Sequence, residues 1–185
     1  MLELQGDKVI LREFTKDNLN DPQYFSWLRD PEVVTTLYRV EYLLTLQFSE
    51  VENYVNNLLN SKNDCFFAIY YKKNNKFIGT QRIGHIDWRT GRADLGILIG
   101  NKKYWRKGIA KDSIRTASVY AFKKLSLRKL TAGTPKNNIA MCKCFEALDF
   151  KQEGILREQL LIDGEYVDHV LYGILRREFF ENYKK

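Results

Sequence analysis

The segment Tyr104 to Ala110, Y-W-R-K-G-I-A, constrains this chain more than any other stretch. The apolar run Ala93 to Ile99 reads as a strand leading into it. Ala110 to Leu125 reads as a helix leading out, with Ile114, Ala117, Ala121, Phe122 and Leu125 at helical spacing. A short glycine-containing turn that enters a helix is a site for phosphate. The N–H groups of the first helical turn have no internal partner, and the helix dipole adds partial positive charge there. Gly108 lets the backbone approach a ligand closely. Arg106 and Lys107 add two cations beside the donors. These residues describe a pyrophosphate cradle between a strand and a helix.

The flanking sequence supplies a sheet around that cradle. Lys8 to Phe14 reads as a first strand, and Asp21-Pro22 as a helix start that must end before Asp30-Pro31. Thr36 to Thr45 carries no periodic pattern. Ser49 and Glu52 have capping-box spacing ahead of the stripe Val51, Tyr54, Val55, Leu58 and Leu59. Cys65 to Tyr71 and Phe77 to Asp87 form strands around the turn K-K-N-N-K. Gly96 and Gly100 suggest a bulge or splay near the end of the next strand. After the long helix come a strand at Lys129 to Thr134 and a helix capped by Asn137 or Asn138, bearing Met141, Phe145 and Leu148. Two last strands, Lys151 to Leu161 and Tyr166 to Leu175, flank the turn Asp163 to Glu165. Strands interleaved with helices give an α/β domain built on a mixed sheet. A length of 185 residues suits one domain, 1–185.

Composition narrows the class. No apolar run reaches the roughly 18 residues of a transmembrane helix, and the N-terminus lacks a signal-peptide pattern, so membrane association is not expected. Cys65, Cys142 and Cys144 are odd in number and form no CxxC, which argues against disulfides and a metal site and for a reducing cytoplasm. The net charge of +7 favours an anionic ligand. The cations are spread along the chain, and the aromatics of C-F-F-A-I-Y-Y lie in a core-like strand, which argues against nucleic-acid binding.

The run A-D-L-G-I-L-I-G-x-x-x-Y-W-R-K-G-I-A-K-D-S-I resembles the acetyl-CoA-binding motif of the GNAT superfamily of N-acetyltransferases. L-R-K-L-T-A-G-T-P-K-N-N-I-A-M-C-K-C-F-E-A-L-D-F resembles that family's second signature. The tail D-G-E-Y-V-D-H-V-L-Y-G-I-L-R-R-E-F is similar to the branch of ribosomal-protein N-terminal acetyltransferases, the RimJ/RimL-like proteins. The resemblance spans about Lys8 to Phe179. It implies a GNAT fold: a mostly antiparallel sheet of seven strands, about four helices, and a splay between strands four and five. Trp105 stands where many members have Arg or Gln, Asp149 where most have Gly, and Phe145 where many have a Tyr general acid.

The implied reaction is direct transfer of an acetyl group from acetyl-CoA, the co-substrate, to an amine. Backbone N–H groups of Arg106, Lys107, Gly108, Ile109 and Ala110 would hold the pyrophosphate. The splayed strand end, Leu98, Ile99 and Gly100, would pair with pantetheine, and Leu98 or Ile99 would polarise the thioester carbonyl. Asn138 matches the family's pantetheine-contacting Asn. Asp94, fourteen residues before Gly108, matches a carboxylate general base in some members, or else is an exposed strand residue paired with Arg92 or Arg82. His85, with an intrinsic pKa of about 6.5, is the alternative base. His169 and Asp168 read as structural or substrate-lining. Tyr104 and Tyr172 are candidates to protonate the thiolate, and no acidic or His partner is patterned around Cys142 and Cys144 for an acyl-cysteine.

Three readings remain open on the sequence. One is a peptide or protein N-terminal amine. Another is a small-molecule amine, including an amino sugar on a nucleotide carrier. The third reading is a catalytically silent CoA- or RNA-binding domain. A homodimer contact through the last strand and Thr36 to Phe48 is a further option that the resemblance carries.

Overall fold

A computed structural model describes residues 2–37 and 46–183. Most of the patternless Thr36 to Thr45 segment, and of the Thr36 to Phe48 stretch suggested as a dimer contact, lies outside the described residues. Eight strands form one sheet in the order β1-β2-β3-β4-β5-β6-β8-β7. They are β1 (Glu3–Gln5), β2 (Val9–Glu13), β3 (Cys65–Tyr71), β4 (Lys76–Asp87), β5 (Arg92–Ile99), β6 (Lys129–Pro135), β7 (Lys151–Ile162) and β8 (Glu165–Leu175). β5 and β6 run parallel, and each of the other neighbouring pairs is antiparallel.

The expected mixed sheet is present with one strand more than the seven anticipated. β1 is three residues long, too short for alternation to register in sequence. Seven α-helices are described rather than about four: α1 (Lys16–Asn20), α2 (Pro22–Trp27), α3 (Pro31–Leu37), α4 (Phe48–Asn60), α5 (Ile109–Lys123), α6 (Ile139–Glu146) and α7 (Arg176–Tyr183). Asp21 caps α2 as expected, accepting from the Gln23 N–H at 2.9 Å. The capping box of α4 is Gln47 with Glu50, not Ser49 with Glu52. Phe48 already has helical geometry, so Ser49 lies inside the first turn. Tyr54 and Leu59 leave the expected stripe exposed, while Val51, Val55 and Leu58 are buried.

Each face of the sheet carries its own apolar cluster. Ile83, Leu95, Leu130 and Val170 pack with Ile114, Ala117 and Phe122 of α5 and Phe145 of α6. Phe66, Phe77 and Leu98 pack on the opposite face with Leu19, Trp27, Val33 and Val55 of α1–α4. A buried carboxylate ties the N-terminal strands to α5. Asp112 accepts from the backbone N–H groups of Asp7, Lys8 and Val9 and from Arg115. None of the described helices is long and apolar enough to cross a membrane.

The splay is where it was anticipated. β5 and β6 are paired only at Arg92–Lys129, Ala93–Leu130 and Asp94–Thr131. Beyond Asp94, β6 follows β8, and the β5 edge from Leu95 to Ile99 has no strand on that side. Gly100 serves packing rather than the splay: a Cβ there would come within 2.1 Å of the Trp27 ring.

Candidate acetyl-transfer site

The cradle is built from two left-handed residues followed by a helix start. Arg106 has φ 57° and Gly108, the N-cap of α5, has φ 73°. Such turns aim successive N–H groups into one concavity, which suits an anion. Gly108 is therefore required by its backbone conformation as well as by proximity to a ligand. Asp112, in the first turn of α5, points away from the cradle into the β1–β2 turn.

Sequence reading missed part of the basic wall. Lys8, Lys72 and Lys73 join Arg106, Lys107 and Gly108 around an open cleft of about 750 Å³. The Lys8 ammonium donates to the Lys107 carbonyl at 2.7 Å, and the Lys72 ammonium donates to the Gly6 carbonyl at 3.0 Å. No local motif marks these lysines; strand pairing brings them to the loop. The cradle also joins back to β5, because the Trp105 indole N–H donates to the Ile99 carbonyl at 2.6 Å. The residue that departs from the family pattern thus anchors the loop to the strand end.

A second group of side chains gathers where β5 and β6 part. Leu95 belongs to the α5-side cluster, so alternation turns Asp94, Gly96 and Leu98 toward the α1–α4 side. Asp94 is half-buried, and its Oδ1 accepts from the Thr131 hydroxyl at 2.9 Å. The expected pairing with Arg92 or Arg82 is not the one it makes. Burial pushes the Asp94 carboxyl above its ordinary pKa; the Thr131 bond and the charges of His85, Arg82 and His169 offset part of the rise.

Arg82 is taken up by Asp64, with Nη2 and Nε 2.6 and 2.8 Å from Oδ1. This ion pair lies across Gly84, the residue paired with Asp94, where a Cβ would be 2.4 Å from Arg82 Nε. Burial alone would raise the Asp64 pKa, but the Ser61 hydroxyl and Arg82 hold it below its ordinary value. His85 is exposed, at φ 51° in the β4 irregularity, with its ring Nε2 3.4 Å from Arg82 Nη2. His169 lies over Gly133 on the same side of the sheet, two residues along β6 from Thr131. Burial lowers its pKa, with Asp94 pulling the other way, so the ring is neutral near pH 7.

The structure brings Asp94, His85 and His169 together and leaves Tyr104 apart. Asp94 and Ile99 are separated by about 17 Å of strand at roughly 3.3 Å per residue, and Tyr104 lies beyond Ile99. The Tyr104 hydroxyl accepts from the Asn74 amide at 3.0 Å, and its ring packs on Tyr71. Tyr172 is buried on the opposite face against Phe145, donating to Glu146 Oε1 at 3.3 Å; burial and its acidic neighbourhood push its pKa up. Asn138 caps α6, accepting from the Met141 N–H at 3.2 Å through its side-chain oxygen. The Cys144 thiol is pushed up to about 11 by burial. Asp168 holds Lys136 and the Glu158 N–H.

The arrangement is an anion cradle, an open strand edge and a carboxylate in line. It can hold a long phosphorylated thioester and accept a proton at its inner end. Comparison with known proteins gives the family. Residues 8–151 match the family described as Acetyltransferase (GNAT) domain. An uncharacterized N-acetyltransferase of Bacillus licheniformis is 29% identical over 157 residues, 85% of this chain and 86% of that protein. YdaF of Bacillus subtilis, provisionally assigned as a ribosomal N-acetyltransferase, is 29% identical over 101 residues, 55% of each chain. Spermidine N-acetyltransferase from Vibrio cholerae, solved with CoA and spermine, shares the fold with a TM-score of 0.84 at 21% identity, over 94% of this chain and 98% of that one.

Proposed function

The chain belongs to the GNAT acetyltransferase family and is an acyltransferase that moves an acetyl group to an amine; from that premise we propose that it transfers acetyl from acetyl-CoA to a small primary amine, with Asp94 as the base. The observation that carries this reading is the half-buried Asp94 carboxylate at the inner end of the splay, where β5 loses its β6 partner. Its raised pKa makes it a better proton acceptor than an ordinary Asp.

In this reading the cradle N–H groups from Arg106 to Ala110 hold the pyrophosphate, and Lys8 and Arg106 screen its charge. The pantetheine arm runs along the open β5 edge, with the Asn138 amide as a neighbour. A β5 N–H at Leu98 or Ile99 polarises the thioester carbonyl. The amine enters on the α1–α4 side and attacks the carbonyl at Leu98 or Ile99; Asp94, about 13 Å along the strand from Leu98 at roughly 3.3 Å per residue, takes its proton through intervening water. His85 and His169 border that entry. A thiolate is a far better leaving group than an amide anion, so the CoA sulfur can depart near neutral pH without a dedicated acid. Tyr104 then supports the cradle rather than the chemistry.

The charge balance favours a monoamine over a polyamine. Of the two carboxylates in the cluster among the described residues, Asp64 is neutralised by Arg82, and Asp94 is left to meet one ammonium. A peptide N-terminal amine is the second reading, supported by the similarity to YdaF. Thiol release from acetyl-CoA tests this against a panel of amino sugars, nucleotide-linked amino sugars, N-terminal peptides and spermidine. Turnover with the small monoamines supports the proposal. Turnover with peptides alone, or tight CoA binding with no turnover, overturns it.

A further inference from the structure

Gln81 of β4 is fully buried and polar, in a strand whose neighbours are chiefly apolar. A buried amide is costly unless each of its groups is paired. Here both ends are used. The Oε1 accepts from the Ser113 hydroxyl at 3.0 Å, and Ser113 is itself fully buried in the first half of α5. The Nε2 donates to the Gly96 carbonyl of β5 at 2.9 Å and to the Arg82 carbonyl at 3.2 Å.

Those partners belong to the two halves of the proposed acetyl-CoA site. Ser113 is five residues into the helix whose N-terminus forms the cradle. Gly96 is two residues beyond Asp94, on the β5 stretch that has lost β6. That stretch is held by β4 on one side only, so its position depends on bonds that come from β4. Among the described residues, Gln81 is the side chain that hydrogen-bonds both this stretch and α5, beside the apolar packing of Leu95 on that helix.

We infer that Gln81 is a positioning residue that fixes the spacing between the phosphate cradle and the open β5 edge. The inference rests on the acetyl-CoA reading above. A ligand anchored at two places binds tightly only when the places are held at the span of the ligand; loosening the span weakens the joined ligand and leaves a fragment at one place unaffected. Gln81 touches neither end of the ligand, so its effect is confined to the ligand that bridges both.

The test is calorimetric titration of acetyl-CoA and of 3′,5′-ADP, a fragment that reaches only the cradle, into wild type, Gln81→Met and Ser113→Ala. Gln81→Met should weaken acetyl-CoA at least tenfold and 3′,5′-ADP less than twofold. Ser113→Ala removes only the helix bond and serves if Gln81→Met does not fold; it should weaken acetyl-CoA about threefold, again sparing 3′,5′-ADP. Acetyl-CoA affinity equal to wild type in both variants overturns the inference. Equal weakening of both ligands overturns it as well, since that is the mark of general structural damage. Failure of wild type to bind acetyl-CoA would instead overturn the reading of the site.

Discussion

Asp94 and Thr131 are the last residues that β5 and β6 hold in register, and the Thr131 hydroxyl also hydrogen-bonds the Asp94 carboxylate at 2.9 Å. The proposed base is therefore fixed at the point where the sheet opens. Thr131→Val keeps the shape and removes the donor. The Asp94 pKa, already raised by burial, should rise further. Activity requires the ionised carboxylate, so the acid limb of the pH–rate profile should move to higher pH. An unmoved limb would remove Asp94 from the role of base.

Asp94→Asn should lower kcat/KM by about 10²-fold or more, the usual scale for loss of a general base. Its stability effect has the opposite sign. A carboxyl whose folded pKa is raised contributes stability at low pH that is lost as pH rises through the folded value. At pH 7 the Asn variant should therefore be no less stable than wild type. Thermal melts at pH 7 check this; a lower Tm would show that the carboxylate is structurally required.

Asp112 behaves the other way. Burial would raise its pKa, but the N–H groups of Lys8, Asp7 and Val9 and the Arg115 guanidinium hold it below the ordinary value. Its stabilisation is present above the unfolded pKa and lost as pH falls through the folded one. Asp112→Ala leaves three N–H donors without an acceptor and should cost about 1–3 kcal/mol. That corresponds to several degrees of Tm at neutral pH for a chain of this size.

Cys144 tests the direct-attack mechanism. Burial pushes its thiol up to about 11, so little thiolate exists at pH 7.5. Cys144→Ser should keep activity within about twofold, and no acetyl-cysteine should appear by mass spectrometry after mixing with acetyl-CoA. A stable acetylated enzyme would contradict direct attack.

What was legible in the sequence was local. The cradle could be read because a strand, a glycine turn and a helix follow one another between Arg92 and Lys123, and glycine at φ 73° leaves a clear signature. The bounds of β3 and the Asp21 cap followed from adjacent residues for the same reason. The surroundings of Asp94 were not legible. Its partner Thr131 lies on another strand, the Arg82–Asp64 pair joins β4 to the loop before β3, and His169 arrives from β8. Lys8 joins the cradle only because β2 packs beside α5. Gln81 carries no local signal, and only the fold shows what it joins.

The central claim is that the loop ending in Gly108 holds acetyl-CoA. Calorimetric titration of acetyl-CoA into wild type and Gly108→Glu tests it most directly. Glu at φ 73° costs about 1–2 kcal/mol of backbone strain. The nearest atom to a Cβ there is the mobile Lys8 Nζ at 3.1 Å, so the fold should survive. Wild type should bind clearly, and a folded Gly108→Glu should not bind. Unchanged affinity in the variant would contradict it.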